Sequence, residues 1–123
     1  MNEISSTEER VDSLPISFDG PNAAPDHHTV IFENERVRVL DFRVPSGDKV
    51  PLHTHRYATV NYVISVSDFQ SFDCEGHLKH DSREGDTVQR EGEVFCLPAF
   101  PPLHSVENIG RGEIRGLTVE LKN

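Results

Sequence analysis

The sequence predicts an all-β sandwich or barrel built from roughly ten short strands. Three observations support this fold class. Segments of β-type composition follow one another from residue 29 onward, turn residues separate them, and no segment has a convincing helical period. A chain of 123 residues is expected to form one domain with one modest core.

Each predicted strand is short and rich in β-branched or aromatic residues, and most are bounded by Gly, Pro, Asn or Asp. In chain order the predicted strands are Thr29–Phe32, Arg36–Val44, Val50–His55, Thr59–Val66, Phe69–Phe72, His77–His80, Thr87–Arg90, Val94–Leu97, His104–Asn108 and Ile114–Leu121.

Period-two alternation assigns faces to two of these strands. In the second strand Leu40 lies on the face opposite to Val39. In the fourth strand Val60, Tyr62 and Ile64 share one face, and we expect that face to line the interior of the barrel. The proline-rich stretch at residues 98–102 is expected to be a loop.

The first 26 residues differ from the rest of the chain. They contain Pro15, Pro21 and Pro25, an acidic start and only isolated apolar residues. This proline spacing argues against a long helix. We interpret residues 1–26 as a poorly ordered arm, or a segment that docks onto the body or onto a partner subunit, and residues 27–123 as the β domain.

The composition excludes several classes of function. Asp and Glu number 21 against 12 Lys and Arg, for a formal net charge of −9, so neither nucleic acid nor an anionic membrane is expected as a partner. No apolar run approaches the ~20 residues of a membrane span. No signal peptide is apparent. Two cysteines are too few for a disulfide framework, which favours a reducing, cytoplasmic location.

The seven histidines are the unusual part of the composition. His53 and His55 are two residues apart on a predicted strand, so their side chains share a face. His104 lies about fifty residues further on, and closure of a barrel could bring it to the same point. Three imidazoles together would form a site for a first-row transition metal. Such a histidine pair is also common on surfaces without any metal.

The spacing around these histidines resembles the two motifs of the cupin superfamily. Gly47 is followed after five residues by His53-Thr54-His55, as in the first motif. Gly92 is followed after five residues by Pro98, and His104 after three by Asn108, as in the second. The resemblance extends over roughly residues 29–122 and implies a jelly-roll, double-stranded β-helix barrel with metal ligands His53, His55 and His104.

The chain also departs from the cupin pattern. The motif glutamate, normally the fourth ligand, would fall at Thr59 or Val60, neither of which is a carboxylate. Thr59 could serve only as a weak or water-mediated ligand. Phe100 stands in place of a motif glycine, and the spacing from Pro98 to His104 is one residue longer than the pattern.

The ligand set indicates the function to expect. Three neutral imidazoles leave a divalent metal with its full charge, so its open positions favour anions. The set resembles that of the diketone-cleaving and thiol dioxygenases among cupins. This implies a mononuclear dioxygenase-like oxidoreductase acting on a small anionic organic substrate. The metal could be Fe, Zn, Ni, Mn or Cu, with Fe(II) favoured for an oxygenase.

Tyr57, Thr59, Asn61 and Tyr62 are candidates to hydrogen-bond a substrate, and Tyr62 is our choice for a catalytic role. An apolar mouth, Cys96 as a buried small side chain, and solvated histidines outside the metal set are also expected. The mouth would be formed by Phe95, Leu97, Phe100 and Leu103, and the solvated histidines are His27, His28, His77 and His80.

Two other functions remain open at this point. The protein could be a small-molecule-binding or sensor cupin whose metal anchors a ligand without turnover, or a cupin that keeps only the scaffold. The resemblance also implies a homodimer.

Overall fold

The computed structural model describes residues 15–85 and 89–122 and is built almost entirely of antiparallel strands, which confirms the all-β class. A 3₁₀ turn at Ile16–Phe18 and a one-turn helix, α1, at Gly20–Ala23 precede the strands. The strands are β1 His28–Glu33, β2 Val37–Val44, β3 Lys49–His55, β4 Ala58–Ser65, β5 Phe69–Asp73, β6 Leu78–Asp81, β7 Val94–Leu97, β8 Phe100–Asn108 and β9 Ile114–Leu121.

The strands form two sheets. One has five strands in the order β1-β2-β9-β4-β7, and the other has four in the order β3-β8-β5-β6. Most neighbours in each sheet are far apart in sequence, so long-range pairing, such as β2 with β9, holds the fold together. No helix in the described ranges is long and apolar enough to cross a membrane.

A small hydrophobic core joins the two sheets at one end of the barrel. Val44 on β2 and Val50 on β3 are fully buried, and Ala24, just after α1, is buried with them. Partly buried side chains from both sheets pack around these three: Phe42, Val106 and Ile114. The other end of the space between the sheets is a cavity.

Residues 15–24, which we call the N-terminal segment, lie against the barrel. Asp19 forms an isolated parallel bridge with Thr54 of β3, and the Thr54 hydroxyl donates to the carbonyl oxygen of Phe18 at 3.3 Å. Arg38 of β2 donates to Asp19 Oδ2 at 2.7 Å and also to Glu120 of β9. The first 14 residues of the predicted arm lie outside the described residues.

The face predicted to be interior on β4 is wrong. Thr59 and Val63 are the buried positions, each 6% exposed, whereas Tyr62 is 46% exposed. The side of β4 that carries Val60 and Tyr62 therefore faces outward. The error arose because the outward face is the more apolar one, contrary to the usual pattern.

Two other strand predictions need revision. Strand β8 begins at Phe100, inside the stretch predicted to be a loop. Its pairing with β5 ends at His104, so residues 100–103 have β3 on one side only. Prolines are tolerated at such an edge because one side of the backbone has no ladder to complete. The predicted strand Thr87–Arg90 falls partly outside the described residues, and its described part, residues 89–90, is not a strand.

Asn108 organises the turn after β8. It is fully buried, and its amide donates to the carbonyl oxygens of Val44 at 2.9 Å and Gly112 at 2.8 Å. Its Oδ1 accepts from Ser67 Oγ at 2.8 Å and from the backbone N–H of Gly110 at 3.0 Å. The motif asparagine therefore acts as a structural tie between loops.

Replacing this tie gives a test of the fold. Asn108→Ala is expected to destabilise the protein by about 2–4 kcal/mol, because it leaves several buried polar groups without partners. Urea unfolding followed by circular dichroism measures the loss. The control is Asn22→Ala, which removes one exposed hydrogen bond to Ile16 and should cost less than about 1 kcal/mol. Equal stabilities of the two variants would contradict this role for Asn108.

Candidate metal centre

Strand β3 brings His53 and His55 together on one face. Their Nε2 atoms lie 3.2 Å apart, and their rings meet edge to face with centroids 4.8 Å apart. His53 is only 1% exposed. Strand β3 has a register shift between Val50 and His53, and this irregularity allows Val50 and His53 both to face inward.

His104 joins this pair from the neighbouring strand. It is directly opposite His53 in the pairing of β3 with β8. Its ring centroid is 4.3 Å from that of His53 and 5.0 Å from that of His55. The three histidines identified from the sequence are therefore brought to one place.

His28, which sequence reasoning placed in solvent, is a fourth member of the cluster. It is 3% exposed, and its ring centroid lies 4.8 Å from that of His53 and 5.8 Å from that of His55. One ring nitrogen from each of these three residues lies within 4.8 Å of the others, and His104 is not part of that closest set. His28 was missed because the first strand was predicted to begin at Thr29. Starting it one residue earlier places His28 opposite Phe42.

Of the other three histidines predicted to be solvated, one is buried and two are exposed. His27 is 6% exposed, and its Nε2 lies 2.7 Å from Asp48 Oδ2, so that prediction is also wrong. His77 and His80 are exposed, as expected. His77 lies beside Asp73 and Glu75 on the β5–β6 hairpin, away from the buried cluster.

Backbone carbonyls fix the orientation of three of the four clustered rings. Nδ1 lies 3.0 Å from the Ala24 oxygen in His28, 2.7 Å from the Pro51 oxygen in His53, and 3.0 Å from the Pro102 oxygen in His104. A carbonyl oxygen only accepts, so each Nδ1 must carry the proton. In the neutral ring the lone pair is then on Nε2.

The free Nε2 atoms fit a metal ion. Nε2 of His28 is buried without any hydrogen-bond partner. The 3.2 Å separation between Nε2 of His53 and Nε2 of His55 matches two nitrogens on one ion, since metal–nitrogen bonds of about 2.1 Å place them roughly 3–3.4 Å apart. Backbone carbonyls that hold the second ring nitrogen are typical of metal-binding histidines.

All four imidazoles are held in the neutral form that metal binding requires. Burial lowers the pKa of His28 to about 4 and that of His53 to about 3, and the neighbouring histidines add to the effect. Burial likewise lowers the pKa of His55 and of His104.

Thr59, at the position where the motif glutamate was expected, is buried but takes part in a neutral hydrogen-bond chain. Its hydroxyl oxygen accepts from Asn61 Nδ2 at 2.9 Å, and Asn61 Oδ1 accepts from Thr118 at 2.9 Å. Glu120 is opposite Thr59 on β9 and is fully buried, but it is bonded to Arg38. Burial raises the pKa of this carboxyl, opposed by its bonds to Arg38.

The cluster forms part of the wall of a cavity of about 220 Å³. No carboxylate lines it within residues 15–85 and 89–122. Most of the remaining wall is apolar or aromatic, and the polar chain from Thr59 to Thr118 lines one side. The apolar lining is Leu40, Phe42, Val63, Phe69, Phe95, Leu97, Pro98, Phe100, Val106 and Ile114.

Four other side chains considered as site residues lie at the edge of the cavity or outside its lining. Tyr62 borders the cavity but is 46% exposed. Tyr57 stacks near the Arg38 guanidinium, which is 5.5 Å from the ring centroid, and Leu103 does not line the cavity. Cys96 is exposed, so it is not the buried side chain that was predicted, and it does not line the cavity.

The cluster predicts acid sensitivity in metal-free protein. Between about pH 6.5 and the lowered pKa values, the unfolded chain binds protons that the folded chain does not, so stability falls as the pH falls. Each buried histidine contributes up to about 1.4 kcal/mol per pH unit. Urea unfolding of chelator-treated protein between about pH 7.5 and pH 5 measures the slope. His28→Phe should flatten it and His80→Ala should not. Equal slopes in all three proteins would contradict the assignment.

The fold of this chain is similar to that of several solved structures. No family model matches the sequence, and no curated protein matches it. Among solved structures 117 chains match. A cupin domain from Bordetella pertussis Tohama I gives a TM-score of 0.62 at 24% identity, covering 78% of this chain and 92% of that one.

Two other structures are similar at lower identity. A protein with a double-stranded β-helix domain from Klebsiella pneumoniae gives a TM-score of 0.53 at 17% identity, covering 99% of this chain and 91% of that chain. An RmlC-like cupin from Methanocaldococcus jannaschii gives 0.53 at 16% identity, covering 76% and 77% of the respective chains. The chain therefore has the cupin fold, a double-stranded β-helix, as its two histidine motifs predicted.

Proposed function

We propose that this protein is a metal-binding cupin in which His28, His53, His55 and His104 hold a divalent transition metal beside an apolar cavity. The observation that supports this best is the unpartnered, buried Nε2 of His28, whose ring meets those of His53 and His55. Imidazole ligands suit Fe, Zn, Ni and Cu better than Mg or Ca.

The charge of the site indicates the ligand. Four neutral imidazoles leave the ion with its full positive charge, and the described cavity wall contains no carboxylate to offset it. The rest of the wall is mostly apolar, with polar groups from Thr59, Asn61 and Thr118 and from Ser65, Gln89 and Arg115. A small organic anion with an apolar body fits these properties.

The reaction we propose is a dioxygenase-like oxidation of such an anion, with Fe(II) as the metal. When bound, such an ion would supply a Lewis acid and a redox centre. The chain's own residues would exclude water through the apolar wall and orient the substrate through the chain of Thr59, Asn61 and Thr118. Tyr62, at the cavity edge, stays a predicted substrate contact.

A non-catalytic binding or sensor role is the second candidate. The observation that favours it is that the described cavity wall offers no carboxylate as a general base. Its histidines are all members of the cluster and would be occupied by the metal. In this case the metal would anchor the anion without turnover.

Metal content is the first test. Untagged protein incubated anaerobically with Fe(II), Co(II), Ni(II) or Zn(II) should retain about one equivalent of at least one metal after desalting. His53→Ala and His104→Ala should lose this metal while keeping a β-type circular dichroism spectrum. The exposed His77→Ala and His80→Ala are the matched controls. Less than about a tenth of an equivalent in the wild type would disprove the proposal.

Oxygen uptake then separates the two roles. Fe(II)-loaded protein is offered a panel of diketones, thiols and phenolic acids in an oxygen electrode. Uptake that depends on both substrate and His104 supports the oxygenase. Binding of a panel member to the loaded protein without uptake supports the binding role, and Tyr62→Phe tests the predicted contact in either case.

We also propose that the protein is a homodimer formed through the outward side of the five-stranded sheet. Cross-strand pairing places apolar residues side by side there, with Val94 62% exposed and Tyr62 46% exposed. Contiguous exposed apolar surface of this kind is typical of an interface. This outer apolar face consists of Val39, Val60, Tyr62, Val94, Leu117 and Val119.

Sedimentation of the full chain tests the dimer. The wild type should sediment as a dimer at about micromolar concentration, and Val94→Asp should shift it to a monomer because a buried, unpaired charge is costly. The control is Leu78→Asp, at a 50%-exposed site on the other sheet. A monomeric wild type, or a dimer unaffected by Val94→Asp, would contradict this interface.

A further inference from the structure

His28 reaches the cluster differently from the other three histidines. His53, His55 and His104 all belong to the four-stranded sheet. His28 begins β1, at the edge of the five-stranded sheet, and directly follows the part of the chain that lies against the barrel. A metal bound by all four would therefore join the two sheets.

The N-terminal segment sets the position of the His28 ring. The Ala24 carbonyl oxygen lies 3.0 Å from its Nδ1. Gly20 packs against the ring so closely that a Cβ there would lie 3.1 Å from Cδ2 and 3.2 Å from Nε2. Phe42 packs near the ring, with centroids 5.1 Å apart. The atom expected to bind the metal thus depends on where the segment lies.

Asp19 in turn fixes the segment. It is 1% exposed, and its Oδ2 accepts from Arg38 at 2.7 Å. Its backbone forms a bridge with Thr54, the residue between the two β3 histidines. The same anchor therefore contacts both β2 and the strand that carries two of the proposed ligands.

We infer that Asp19 and Gly20 are positioning residues for His28, so that docking of the N-terminal segment decides whether the metal has three or four protein ligands. The inference rests on the proposed metal-binding function. Four nitrogens complete a tetrahedral ion, whereas three leave a position open to an anion. Displacement of the segment would therefore open the metal to its anionic ligand.

Cobalt substitution tests this in the full chain. The visible d–d spectrum of Co(II) reports the number of ligands, and sodium azide is the anionic probe. His28→Ala provides the three-histidine reference. Asp19→Asn should shift the Co(II) spectrum toward that reference, weaken Co(II) binding about 10-fold and tighten azide binding about 10-fold. Gly20→Ala should change both in the same direction.

The two variants differ in their effect on folding. Asp19→Asn weakens a buried ion pair, whereas Gly20→Ala keeps that pair and adds only one methyl group beside the ring. Gly20 has no positive φ, so alanine fits its backbone. The matched control is Asp26→Asn, which makes the same charge change at an exposed position of the same chain region. It should leave the spectrum and both affinities unchanged.

The outcomes separate this inference from the proposed function. A wild type that binds no Co(II) would disprove metal binding itself. Wild-type spectra and azide affinity in both Asp19→Asn and Gly20→Ala, with a changed spectrum in His28→Ala, would overturn the positioning role and leave the metal site intact. An unchanged spectrum in His28→Ala would remove His28 from the ligand set and overturn the inference.

Discussion

The ion pairs of Arg38 hold together three parts of the chain that are distant in sequence. The guanidinium joins Asp19 of the N-terminal segment and Glu120 of β9 to its own strand, β2. Burial opposes the charge of Arg38, but its hydrogen bonds to the two carboxylates more than compensate and raise its pKa. Loss of one partner from a buried pair typically costs about 3–5 kcal/mol. The position of the segment thus depends on this contact.

The ion pairs of Arg38 with Asp19 and Glu120 leave some buried carboxylate oxygen atoms without hydrogen bonds. One oxygen of Asp19 and one of Glu120 are buried without a hydrogen-bond partner. Burial raises the pKa of Glu120, and the nearby charge of Asp19 adds a smaller upward contribution. Unpaired buried oxygens reduce the net benefit of the contact. The arrangement specifies a location for the segment more than it adds stability.

The buried carboxylate of Glu120 does not take the place of the missing motif glutamate. The carboxylate nearest to Thr59 along the sheet is Glu120, directly across from it on β9. Arg38 engages this carboxylate. The described cavity wall consequently contains no carboxylate, and the charge of a metal there would remain available to a ligand.

Sequence reasoning found the fold and three of the four clustered histidines because both depend on local spacing. Side chains two apart on a strand share a face, and the motif distances placed His104 opposite that pair. The sequence-based prediction failed for residues whose burial depends on tertiary packing. His28 is buried by the N-terminal segment, whose docking depends on a contact with Arg38 that no local pattern reveals. The inward and outward faces of β4 were assigned the wrong way round because the side of β4 that faces the cavity is more polar than its outward side.

Strand β3 is constrained on both of its sides. His53 and His55 face the cavity, while Thr54 between them contacts Asp19 and Phe18 on the opposite side. A chain shortened to begin at residue 27, the apparent start of the β domain, would leave Arg38 without Asp19 and His28 without the Ala24 oxygen. An expression clone designed on the barrel alone would therefore lack the contacts that position His28 in the cluster.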